Sequence, residues 1–172
     1  MKYLKYILGA IIVLVLIFLG IGLMSGSVSY DSEVTIERSA AEVWSVMQDE
    51  ATLPDWIEGF QRTELISGDK GKVGAVSKVY VSQGGQESVM QETIKELIPN
   101  RRMAMLFEME GFMDMDYEMR LDDQGSRTVL TSTSVTRGDG VFAKAMVFLM
   151  QGGMKKQEDK NMAKLKSIIE GR

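Results

Sequence analysis

Between residues 107 and 121 the chain reads FEMEGFMDMDYEMRL, and its carboxylates and thioethers fall into two interleaved sets. Asp114, Asp116 and Glu118 recur at spacing two, so in a strand they share one face, where three carboxylates could hold a cation or supply an acid and a base. Met113, Met115, Tyr117 and Met119 fall on the other face. A solvated outer face is the reading this acidic row favours, because a one-sided antiparallel sheet turns polar residues to water opposite its apolar lining. The chemistry open to the chain is narrow, since it has no His and no Cys. That removes the commonest general base and the thiolate nucleophile, and with them Ser-His-Asp and Cys-His catalysis. No catalytic residue is assigned, and neither a cofactor nor a metal is expected.

The methionines are the second feature with a chemical reading. Val, Ile and aromatic residues suit a pleated surface better than Met, whereas Met offers a flexible, polarisable side chain that conforms to irregular shapes. The lining of an apolar cavity would comprise Met103, Met105, Phe107 and Met109 from one strand and Met113, Met115, Tyr117 and Met119 from the next. The two sets share a face only if the intervening loop has an odd residue count. A three-residue loop at Glu110, Gly111 and Phe112, with Gly111 left-handed, meets that condition. Met146 and Met150 would close the cavity from a helix. Tyr80 and Tyr117 are the candidates for an inward hydroxyl. Trp44 is a candidate for the core. Glu92 and Glu96 are expected outward, as charged residues usually are. Packing with nothing bound is the competing reading of every Met position.

These side chains need elements to hold them. With 172 residues, 45% hydrophobic and 26% charged, the chain suffices for one globular domain. Residues 7–24 carry no charge and have the length of a bilayer-spanning helix. Lys2 and Lys5 precede this run and Asp31 and Glu33 follow it, which places the N-terminus inside and the domain outside the cytoplasmic membrane, periplasmic or extracellular. The competing reading is a cleaved signal peptide ending near Ser25 or Ser27. Residues 1–27 are thus expected to be a single-pass anchor and short linker, in contact with the membrane through residues 6–24, and residues 28–172 a ligand-binding domain. Without Lys2 and Lys5, 18 basic residues face 24 acidic ones, a net charge of −6, which argues against a nucleic-acid partner.

A first strand is expected over 29–37, and Ser39-Ala40-Ala41-Glu42 forms a capping box for a following helix. Pro54 suits the first turn of a second short helix through Trp56. Six strand-like runs follow at about 62–67, 75–82, 86–98, 101–110, 112–121 and 127–136, separated by Gly, Asp, Asn and Pro turns. A long amphipathic helix covers 141–170. Its first ten residues, VFAKAMVFLM, are apolar nearly all round, so that part is expected to be covered on more than one side. The fold class is α+β, a helix-grip arrangement in which a seven-stranded curved antiparallel sheet wraps a long C-terminal helix, preceded by one transmembrane helix.

Four stretches resemble the START-like superfamily (SRPBCC), which includes polyketide cyclases and dehydratases, pollen-allergen-like lipid binders and bacterial lipid-transport domains. They are VTIERSAAEVWSVMQDEATLPDW, IKELIPNRRMAM, YEMRLDDQGSRTVLTS and MAKLKSIIEG. The resemblance implies a cavity between sheet and helix that holds an apolar ligand. It also implies that the turn carrying Trp56 is a cavity rim, which makes Trp56 a candidate for contact with ligand or membrane. Function on such a fold must be argued from the site itself. The first reading is membrane-anchored binding or transport of an apolar small molecule of the lipid or isoprenoid class. The second is a cyclase or dehydratase using a cavity Tyr or Glu. The third is a protein-interaction module.

Overall fold

The computed structural model describes residues 2–171; Met1 and Arg172, the outer ends of the two expected segments, lie outside the described residues. Helix α1 (Lys2–Met24) is followed by β1 (Val28–Ile36), α2 (Ala40–Gln48), a 3-10 turn (Glu50–Thr52) and α3 (Leu53–Trp56). Strands β2 (Phe60–Ser67), β3 (Val76–Gln83), β4 (Gln86–Ile98), β5 (Arg102–Met109), β6 (Met113–Asp123) and β7 (Thr128–Gly138) lead to α4 (Gly140–Glu170). The strands form one antiparallel sheet in the order β1-β7-β6-β5-β4-β3-β2. This is the helix-grip arrangement expected from the sequence, with α4 packed chiefly on β1 and α1 and less on β7.

Local chemistry sets the element ends. The Ser39 hydroxyl accepts the Glu42 N–H at 3.4 Å and the Glu42 carboxylate accepts the Ser39 N–H at 3.0 Å. This reciprocal cap starts α2 and contributes about 1 kcal/mol. The β5–β6 hairpin closes through Glu110, Gly111 and Phe112, with Met109 paired to Met113 and the Phe112 N–H donating to the Met109 carbonyl at 2.9 Å. Gly111 has φ +69°, the left-handed region that a side chain would disfavour. The odd loop puts both methionine rows on one face of the sheet, the face turned to α4.

The interior is not uniformly packed. Ile36, Met119, Leu130, Met162 and Leu165 are fully buried together, covered by Val43 and Met47 of α2 and by Trp56 of α3. This solid core occupies the half of the molecule away from α1. The other half adjoins α1, because β1 begins at Val28, four residues after α1 ends, and Val28 pairs with Thr136 of β7.

Helix α1 is long and apolar enough to cross a membrane and is almost wholly exposed, so it is not the core helix of the domain. Only its last turns meet the rest of the protein, through α4. A Cβ on Gly22 would lie 2.0 Å from the Val141 carbonyl oxygen, so only glycine permits this approach. One turn earlier, the rings of Phe18 and Phe142 lie 5.5 Å apart.

Candidate ligand chamber

Strand register builds the inner wall in rows. Nearest the solid core run Ser32, Ser132, Met119, Met103 and Leu97. The next row is Tyr30, Ser134, Tyr117, Met105 and Ile94, and the one beyond it is Val28, Thr136, Met115, Phe107 and Glu92. Met113 and Met109 end the wall beside the hairpin. The β1 and β7 members of these rows are buried throughout, Thr136 at 0% exposure and Val28 at 5%, but the methionines differ. Met119 is 0% and Met103 8% exposed, whereas Met105, Phe107, Met109, Met113 and Met115 are only half-buried. The sulfurs that stay incompletely covered are those on the α1 side of the molecule.

A polar seam crosses this lining. The Tyr117 hydroxyl donates to Glu158 Oε1 of α4 at 2.7 Å, and the edge of Tyr117 meets Phe107 at 6.2 Å between centroids. Burial, then the negative charge of Glu158, push the Tyr117 phenol well above its usual range, against an opposing hydrogen bond from Ser132. The Tyr30 phenol is also raised, first by burial and then by Glu158, with a Ser134 hydrogen bond opposing. Both phenols therefore stay protonated at neutral pH and act as hydrogen-bond donors. The Ser134 hydroxyl lies 3.7 Å from the Met115 sulfur. Among the described residues the Thr136 hydroxyl and the Trp56 indole N–H are buried without a partner. Glu92 completes the inward polar groups, its carboxyl raised by burial and by the charge of Glu50.

Comparison with known proteins places this geometry. The family described as polyketide cyclase/dehydrase and lipid transport matches residues 27–170. The chain belongs to that family. Solved structures share the fold: Ara h 8.0201 (TM-score 0.69, 14% identity, 86% of this chain and 100% of that one) and the ZhuI aromatase/cyclase from Streptomyces sp. R1128 (0.68, 18%, 84% and 94%). Norcoclaurine synthase from Thalictrum flavum, in complex with dopamine and hydroxybenzaldehyde, has a TM-score of 0.62 at 15% identity over 87% of this chain and 90% of that one. No curated protein sequence matches the chain.

Within this polyketide cyclase/dehydrase fold several sequence expectations need correction. Tyr80 does not point inward. It pairs with Arg62 and Val89 on the outer face, donates to Glu64 at 2.9 Å and lies under the Arg62 guanidinium at 3.5 Å. Trp56 is not at a rim; it is 6% exposed within the solid core. Met150 is 46% exposed and so does not close the cavity as expected, while Met146 is half-buried. Glu92 faces inward, contrary to expectation, whereas Glu96 is outward and bonded to Arg102 at 2.8 Å. A regular strand would put these two carboxylates on one face, but a bulge between Ile94 and Glu96 reverses the parity. The acidic row lies outside as expected: Asp116 bonds Arg137, and Glu118 bonds Arg102 at 2.6 Å and also Arg120.

Sequence reasoning missed Tyr30, Glu158 and the Ser132, Ser134 and Thr136 row. The alternation of β7 was legible, but beyond Leu130 its inward residues are small and polar, so hydrophobic patterning did not mark that part of the inner face. Glu158 stands four residues after Met154 and seven before Leu165 on the same helical stripe. That spacing was the available signal for an inward carboxylate.

Proposed function

We propose that this family member is a membrane-tethered binding or carrier protein for an apolar small molecule of the lipid or isoprenoid class, held between sheet and α4. The observation that carries the reading is the exposure gradient along the methionine rows. The same side-chain type is sealed at Met119 and incompletely covered from Met105 to Met113. A wall of adaptable thioethers beside a solid core suits an apolar occupant of irregular shape. In this reading α1 spans the cytoplasmic membrane, Lys2 and Lys5 stay inside and the domain lies outside. The tether keeps the chamber at high local concentration near ligands dissolved in the bilayer.

The charges of the wall refine the ligand. The Glu158 carboxylate is turned inward and acts on Tyr117 as a negative charge, so an anionic head group beside it would meet like charge in a desolvated space. A neutral hydroxyl or carbonyl meets donors at Tyr30 and Thr136 instead, since the Tyr117 proton is already given to Glu158. The ligand is therefore an apolar chain or ring system with a neutral oxygen.

A cyclase or dehydratase activity is the second reading, favoured by the Tyr117–Glu158 contact at 2.7 Å. General acids work best with a pKa near the working pH. The phenol moves the other way, which fits holding an oxygen better than giving up a proton.

The test uses the full chain in detergent micelles, with farnesol and farnesoic acid at pH 8 as probes. Farnesol is expected to bind at least about tenfold more tightly than its carboxylate counterpart. Equal affinities, or no binding of either, would contradict the assignment.

A further inference from the structure

Phe142 and Leu149 are the most exposed large apolar side chains on α4, at 64% and 56% exposure. They stand seven residues apart, two turns, and so share a face of the helix. This part of α4 is already covered twice, by the sheet at Ala143 and Val147, each 2% exposed, and by α1 at Val141. A third apolar face on a helix covered on two sides has no role in the domain's own packing.

Its neighbour indicates what covers it. Phe18 touches Phe142, and Gly22 meets the Val141 backbone. A groove of about 620 Å³ lies between the end of α1, with the linker and first residues of β1 that follow it (residues 25–29), and Phe148 and Gln151 of α4. The opening turns of α4 therefore lie at the level of the last two turns of α1. Phe18 is six residues before the end of α1, roughly 9 Å at 1.5 Å per residue. Any medium that surrounds α1 at that depth also surrounds Phe142. At the Phe18–Phe142 contact the apolar surface of α1 meets that of α4 directly.

We infer that the first turns of α4 are immersed in the outer boundary of the bilayer, with Phe142 and Leu149 in contact with lipid, so that α1 and α4 together seat the domain on the membrane. The inference rests on the reading of α1 as a span. Two points of attachment fix orientation where one flexible tether would not. The incompletely covered half of the chamber, from Met105 to Met113, is the half on this side, so the seating turns its opening to the lipid. An apolar ligand then passes between bilayer and chamber without crossing water.

The chain contains no cysteine, so single labels can be placed without altering native thiols. Full-length Ile12→Cys, Phe142→Cys, Leu149→Cys and Ala163→Cys variants, each carrying a nitrobenzoxadiazole fluorophore, are reconstituted in phosphatidylcholine vesicles with and without brominated acyl chains. Positions 12, 142 and 149 are expected to lose at least half of their emission to the bromine, and position 163 to lose almost none. Quenching at 12 with none at 142 and 149 overturns the seating while leaving the span intact. No quenching at 12 overturns both. Equal quenching at 163 also overturns the seating, because the whole of α4 would then lie on lipid. A Gly22→Val variant, whose side chain collides with the Val141 carbonyl, is expected to halve the quenching at 149 while that at 12 persists. Undiminished quenching at 149 would contradict the role assigned to the helix contact.

Discussion

Glu92 illustrates how one side chain can be placed by register against its chemical preference. It pairs with Phe107 on the inner face, where burial and Glu50 make ionisation unfavourable. A carboxyl raised in the folded state contributes most below its unfolded value, and that contribution is lost as pH rises through the folded value. Glu92→Gln is therefore expected to raise Tm relative to the parent at pH 7 to 8 and to leave it unchanged near pH 4. Thermal unfolding of both proteins across that range measures the difference. A Glu92→Gln protein less stable than the parent at pH 8 would mean that the carboxylate has a stabilising partner. Side-chain roles were only partly legible in the sequence. Tyr117 could be placed because Met residues flank it at spacing two, whereas Tyr80 sits in VSKVYVSQ, where apolar residues at 79, 80 and 81 erase the alternation.

At the scale of elements the β5–β6 hairpin was the most legible feature. The requirement that two methionine rows share a face dictates an odd loop, and Gly111 supplies its left-handed residue at φ +69°. A Cβ there would meet nothing within 4 Å, so the effect of a substitution is purely conformational. Gly111→Ala is expected to lower the unfolding free energy by about 1 kcal/mol. Denaturant titration of the full chain checks this, and an unchanged midpoint would show that the loop relaxes out of the left-handed region. The bulge in β4 was not legible, because nothing in QETIKELI marks where one residue drops out of register. Bulges are set by how neighbouring strands meet, and no single-strand pattern records that. The capping box of α2 lies at the other extreme, since all its partners fall within four residues.

For the whole molecule, order and type of elements followed from periodicity and turn residues, and the helix-grip fold from their succession. The distribution of packing within that fold did not, because it depends on where α2, α3 and α4 lie over the sheet. Those helices seal Met103, Met119 and Met162 into a core, with Met105 packed against it, and leave Met109, Met113 and Met115 on a wall that is only half covered. The proposed chamber, its ligand and its seating on the bilayer all depend on this division of one residue type into two environments. Methyl-labelled methionine reports on it directly. In spectra of the full chain in lipid nanodiscs titrated with farnesol, the methyl signals of Met109, Met113 and Met115 are expected to shift, while those of Met103, Met119 and Met162 stay in place. Shifts spread evenly over both groups, or confined to the buried one, would contradict the account.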